Sequence, residues 1–283
     1  VAGEGGADEE EEMRLVAYDE GGIRQIGVLL GEEVAALGAL EEFYAGLPNS
    51  LAAASEPAGA RLPLASLRLA PPVPLGARVL CVGVNYRSHA EESAAALPEM
   101  PNIFARWGST LVGDGSSVPL PPGEPRLDWE GELAAILGAP LYGAGEADVE
   151  AAILGYTCFN DLSARGHQKA TSQWTLGKNA DRSGPIGPVV VTSDEVGDPY
   201  DLELTTRVNG AVMQHARTSE MIFRVPRVVA YAAEVMSLRP GDVIATGTPE
   251  GVGHTRRPPL FLGNGDRVEI EIERIGVLHT TIS

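Results

Sequence analysis

Alternation with period two dominates the chain. Leu15 to Tyr18, the pair Gly21-Gly22 and Ile23 to Leu30 read as strand, turn, strand. Leu202, Leu204, Thr206 and Val208 alternate with polar positions and run into Asn209-Gly210, a pair suited to the left-handed backbone of a two-residue hairpin. Val268, Ile270 and Ile272 alternate with Glu269, Glu271 and Glu273, which predicts a strand with one face in a core and the other in water. Val79 to Val84 and Val189 to Thr192 are continuous apolar runs. Two stretches carry helical spacing. One is Val34 to Tyr44, with Leu37, Leu40 and Tyr44 in phase. The other sets Val225, Val228, Val229, Ala232, Val235 and Met236 on one stripe, with Pro226 near its start and Pro240-Gly241 beyond its end. Strands and helices do not alternate in a repeating unit. The expected fold class is therefore mainly β (α+β), with an antiparallel or mixed architecture rather than a doubly wound sheet.

Composition refines this picture in three ways. The Ala- and Pro-rich segment from Pro48 to Pro74 reads as a surface linker, dividing a small N-terminal α+β domain (13–72) from a larger domain (73–283). The net charge is −18, and six acids crowd into residues 1–12, which leaves about −12 for the rest. Residues 1–12 read as a disordered acidic leader. An acidic body argues against nucleic acid or anionic membrane as partners. No apolar run approaches the roughly 20 residues that span a bilayer, and no secretory signal is visible, so a cytoplasmic location is expected. Cys81 and Cys158 lie among apolar neighbours and read as buried, reduced thiols, with a disulfide between them left open.

The segment Asp128-Trp129-Glu130-Gly131-Glu132-Leu133 carries the most chemistry. On a strand, Glu130 and Glu132 share a face with Asp128, and carboxylates so placed repel unless a cation lies between them. An acidic strand is more often a solvated surface; the apolar run Leu133 to Leu137 favours the functional reading. Asp161 ends another apolar segment as a helix cap or a ligand. Three carboxylates without a neighbouring histidine form an all-oxygen site suited to Mg²⁺, Mn²⁺ or Ca²⁺. His89 and Glu92 are neighbours on a helical turn, where a carboxylate orients the imidazole as a general base; incidental charge on an exposed helix is the plain alternative. Arg165 and Lys178 suit a carboxylate and a developing oxyanion, or are surface charges. Gly247-Thr248-Pro249 offers a hydroxyl and close backbone approach, or is simply a tight loop. A nucleophile elbow, a Walker loop and a dinucleotide fingerprint are all absent from the sequence.

In this order the segments resemble the fumarylacetoacetate hydrolase family. The matching blocks are Asn85-Tyr86…His89…Glu92, Asp128 to Leu133, Asp161…Arg165…Gln168, Gly177-Lys178, Asn209-Gly210…Gln214 and Pro240-Gly241-Asp242…Gly247-Thr248-Pro249. The resemblance covers roughly residues 73–283. It implies a mixed β-roll or β-sandwich catalytic domain in homodimers. It implies Glu130, Glu132 and Asp161 as ligands of Mg²⁺ (or Mn²⁺, with Ca²⁺ as a further candidate). By the same likeness His89 and Glu92 activate water, Lys178 stabilises an enolate, and Arg165, Gln168 and Thr248 contact substrate. Two departures stand out. Gly166 sits where relatives commonly carry Asp. Arg106 sits where many carry Lys, and is expected to touch the far end of the substrate.

The implied activity is metal-dependent hydrolysis of a C–C bond in a small 2-oxo acid of the acylpyruvate type. Isomerisation, decarboxylation or hydration of a related 2-oxo or 2-hydroxydienoate acid in aromatic catabolism is the alternative. A non-catalytic metal-binding protein on the same fold is a third reading.

Overall fold

A computed structural model describes residues 13–283; the acidic leader expected over residues 1–12 lies outside the described residues. Strands Arg14–Glu20 and Ile23–Leu30 form a hairpin across Gly21-Gly22, both at positive φ, as the alternation predicts. The stretch Val34 to Tyr44 departs from its helical spacing. Glu33–Ala39 is a third antiparallel strand, and only Leu40–Ala45 is helical. Val34 and Ala35 are buried through pairing with Ile23–Leu30, so tertiary pairing overrides a short helical period. The expected linker is also more ordered than its composition suggests. It holds the helix Asn49–Ala54 and two short strands, Arg61–Pro63 and Arg68–Leu69, which pair with Glu33–Ala39 and Arg14–Glu20.

These N-terminal strands continue one large mixed sheet. Arg14–Glu20 pairs with Gly184–Thr192, followed in order by Ile153–Asn160, Gly131–Leu137, Val243–Ala245, Val79–Gly83 and Asn102–Arg106. A second sheet of five strands contains the Asn209-Gly210 hairpin (Glu203–Val208 with Ala211–Arg217), then Arg267–Ile272, Gly276–Ile282 and Ser116–Val118. It packs over the centre of the large sheet. Gly131 marks the contact, because a Cβ there would lie 2.2 Å from Thr206 Oγ1 and 3.1 Å from Ile270 Cδ1. The central strand Gly131–Leu137 is consequently buried at every position.

The apolar stripe predicted around residue 230 is the helix Val225–Ala233, with Pro226 in its first turn. It ends sooner than the pattern suggests. Val235 is 82% exposed, and the chain turns to bury Leu238 instead. Cys81 and Cys158 are buried free thiols. No helix among the described residues is long and apolar enough to cross a membrane.

Candidate active site

Strand register assembles the carboxylates. Gly131–Leu137 and Ile153–Asn160 pair with Gly131 opposite Asn160 and Glu132 opposite Phe159. One step further, the Asp161 amide donates to the Glu130 carbonyl at 2.9 Å. Glu130, Glu132 and Asp161 therefore meet, with a carboxylate oxygen from each within 4.8 Å of the others. All three are buried.

Asp128 does not share that face. Its short ladder Leu127–Asp128 pairs with Ser163–Ala164, and the chain leaves the strand between Asp128 and Gly131. The period-two expectation fails at that break. The Asp128 carboxylate instead accepts from Arg165 Nε (2.8 Å), the amides of Gly253 and His254 (2.7 and 3.1 Å) and His254 Nδ1 (3.2 Å).

Cations surround the cluster from behind and beside. Lys178, at the end of the short helix Thr175–Lys178, places Nζ 2.7 Å from Glu130 and 2.5 Å from Asp161. Arg165 Nη1 lies 2.6 Å from Glu130 and 2.9 Å from Gln168 Oε1. Arg106 does not reach the substrate cleft as expected. It is fully buried, pairs through Nε with Asp161, and donates to Ser183 Oγ and the Leu162 carbonyl. It acts as the rear support of Asp161.

The electrostatics single out Glu132. Burial pushes the Glu130 carboxyl up, but the adjacent Lys178 and Arg165 outweigh it and hold this group well below the usual range. Burial also pushes Glu132 up, and there the Asp161 and Glu130 carboxylates add to it. Among the described residues it accepts a hydrogen bond from the Gly247 amide at 2.9 Å. Gly247 offers that N–H from a backbone with φ +91°, which glycine adopts without strain. Burial pulls the Lys178 ammonium down, and Asp161 and Glu130 pull it up and prevail. An all-oxygen donor set with one uncompensated carboxylate fits a hard divalent cation, which would relieve that repulsion.

A cleft of about 510 Å³ opens over the cluster, with Glu130, Arg165, Gln168, Lys178, Thr248, His89 and Glu92 on its walls. His89 and Glu92 lie on the helix Arg87–Glu92, with Nδ1 3.4 Å from Glu92 Oε2. Asn85 anchors that helix by donating to the carbonyls of Thr246 and Phe223. Glu92 also accepts from the Gly251 amide at 3.1 Å, tying the helix to the glycine loop. Its carboxyl is pushed up by burial but held low on balance by His89, Thr255 and Gly251. The Thr248 hydroxyl donates to the Gly131 carbonyl (2.9 Å) and accepts from Gln214 (2.8 Å).

The Gly166 departure has a local reason. A Cβ there would lie 2.3 Å from Glu124 Oε2, and the Glu124 carboxylate accepts from the His167 amide and from Arg126. A carboxylate from elsewhere in the chain thus caps this segment. Sequence reasoning passed over Glu124, Lys169, His254 and Arg257, the last three of which line the cleft. No spacing signal joins these three to the carboxylates, since they lie on segments distant in sequence from Glu130 and Glu132 or just beyond the motif residues Arg165 and Gln168.

Comparisons with known proteins agree with this architecture. Residues 78–283 match the family profile described as fumarylacetoacetate (FAA) hydrolase C-terminal. The chain is 39% identical over 234 residues to the mitochondrial oxaloacetate tautomerase Fahd2a of Rattus norvegicus, covering 81% of this chain and 75% of that protein. Among solved structures, a 2-hydroxyhepta-2,4-diene-1,7-dioate isomerase from Mycobacterium marinum superposes with TM-score 0.79 at 39% identity, covering 95% of this chain and 98% of that one. A fumarylacetoacetate hydrolase from Exiguobacterium antarcticum superposes with TM-score 0.82 at 32% identity, covering 96% and 99%. The chain belongs to the fumarylacetoacetate hydrolase family of enzymes.

Proposed function

We propose that this enzyme moves a proton at the carbon next to the carbonyl of a small 2-oxo acid, as a keto–enol tautomerase or double-bond isomerase. The observation that carries the reading is the buried carboxylate triad with Lys178 bridging two of its members at the floor of the cleft. Relatives whose names specify a tautomerase and an isomerase support the choice among the family's reactions.

Glu130, Glu132 and Asp161 would hold Mg²⁺ or Mn²⁺, which supplies Lewis-acid polarisation of the 2-oxo group when bound. The chain's own residues do the rest. Lys178 presents an ammonium to the oxygen that gains charge as the enolate forms. Arg165, with Nη2 buried and unpartnered among the described residues, offers a donor to the substrate carboxylate. Burial of the whole group keeps bulk water from screening these interactions.

Hydrolytic C–C cleavage is a second reading, favoured by the His89–Glu92 pair on the cleft wall. It requires His89 to take a proton from water as that water attacks the distal carbonyl of a 1,3-dicarbonyl acid.

One experiment separates these readings. Enol decay of oxaloacetate and cleavage of an acylpyruvate panel are followed by absorbance, first in EDTA and then with Mg²⁺ or Mn²⁺ restored. The expected result is metal-restored acceleration of enol decay above the uncatalysed rate, lost about 10³-fold in Glu132→Ala. Cleavage of acylpyruvates to pyruvate without acceleration of enol decay establishes hydrolysis instead. Inertness toward both substrates sinks the proposal.

A further inference from the structure

A second imidazole–carboxylate pair faces the cleft, on residues that neither the hydrolytic nor the isomerising scheme above employs. His254 lines the cavity, with 14% of its side chain exposed. Its backbone N–H and its Nδ1 both approach Asp128 Oδ2, at 3.1 and 3.2 Å. Asp128 is fully buried, and its carboxylate is paired with Arg165 and accepts from the amides of Gly253 and His254. A carboxylate can only accept, so Nδ1 carries a proton, and Nε2 is the nitrogen left to hold the lone pair in the neutral ring. Nε2 has no partner among the described residues, whereas Asp128 is fully engaged.

The same carboxylate oxygen ties this imidazole to the substrate-binding machinery. Asp128 Oδ2 takes Arg165 Nε at 2.8 Å, and Arg165 in turn pairs with Glu130 at 2.6 Å. A continuous path, Glu130–Arg165–Asp128–His254, thus runs from the carboxylate floor to the cleft wall. His89 depends on a different carboxylate, Glu92, on a different element. The cleft therefore contains two separately oriented imidazoles.

We propose that His254 is the group that removes and returns the proton at carbon, oriented by Asp128. This rests on the reading of the cleft as a 2-oxo-acid site. In the step, Nε2 takes a proton from the carbon beside the 2-oxo group. The C–H electron pair becomes the C=C bond, and the carbonyl pair moves onto oxygen opposite Lys178. The imidazolium so formed lies against the Asp128 carboxylate. It delivers its proton to the enolate oxygen in tautomerisation (the enol-to-keto direction runs the same two transfers in reverse), or to a carbon further along a conjugated chain in isomerisation, and no other reactant is consumed.

The test uses the full-length enzyme with Mg²⁺ and oxaloacetate in D₂O, following deuterium entry at C3 by NMR alongside a thermal melt. His254→Asn keeps an amide donor near the position of Nδ1 but has no group at Nε2. Its exchange rate at saturation is expected to fall about 10²–10⁴-fold with the melting temperature and KM unchanged. In His254→Ala, excess free imidazole is expected to restore exchange. Wild-type exchange in His254→Asn overturns the proposal and leaves the imidazole as an anchor for its loop. A loss in His254→Ala that imidazole does not recover overturns it too. Absence of exchange by the wild-type enzyme defeats the 2-oxo-acid reading itself, and this inference with it.

Discussion

Glu269, Glu271 and Glu273 alternate with buried Val268, Ile270 and Ile272 along and just past the strand Arg267–Ile272, while Glu130 and Glu132 flank Gly131 at the head of Gly131–Leu137. In one dimension the two patterns look alike. In the first, the glutamates stand on the outer face of the five-stranded sheet. Glu271 is 46% exposed and meets Arg207 at 2.5 Å. In the second, the outer face is not outer at all, because the glycine loop and the segments carrying Lys178 and Arg165 close over it. Water screens the first set of charges, and protein groups must compensate the second. Burial, rather than spacing, turns a row of acids into a cluster that needs compensating cations.

Three substitutions test that contrast. The largest effect is expected at Arg106→Leu, which leaves the buried Asp161 without its rear cation and should cost about 3–5 kcal/mol in denaturant unfolding. A loss below about 1 kcal/mol would mean that the cluster compensates itself. A smaller, pH-dependent effect is expected at Glu132. Because folding raises this carboxyl, its protonated form is favoured in the native state. In EDTA, its contribution is greatest below the ordinary carboxylate range and is lost as pH rises through the raised folded value. Glu132→Gln should therefore flatten the decline of melting temperature over that window, and a divalent cation should flatten it in the wild type. Equal slopes in variant and wild type would count against an uncompensated charge. Glu130 works in the opposite sense: folding lowers it, so its contribution is lost as pH falls. The smallest effect is expected at Glu271→Gln, within about 0.5 kcal/mol at any pH, as measured by thermal melts.

The hairpins were legible because local chemistry decides them. Gly21-Gly22 and Asn209-Gly210 adopt positive φ wherever the flanking strands can pair. The helix Val225–Ala233 was legible from its stripe and Pro226, though not its end, since Leu238 competes for the core and pulls the chain around. Val34 to Ala39 was misread because a six-residue apolar pattern suits either period, and its partner strand decided the matter. Within the site, Glu130, Glu132 and Asp161 were legible as a group through their motif. Arg106 was expected at the substrate and stands behind Asp161, because the neighbouring strand Asn102–Arg106 at the sheet edge turns its last side chain inward.

The sequence by itself determined the alternating strands, the glycine turns, the family resemblance and the residues able to bind a hard cation. These depend on interactions among neighbours a few positions apart, and so are written locally. The tertiary structure decided which acids lose their water, which cations face them, and that Asp128 leaves the cluster to orient His254. Those outcomes depend on strand register and on loops closing over the sheet, through contacts between residues up to 126 positions apart. Burial sets the cost of every charge, and burial is a property of the assembled fold.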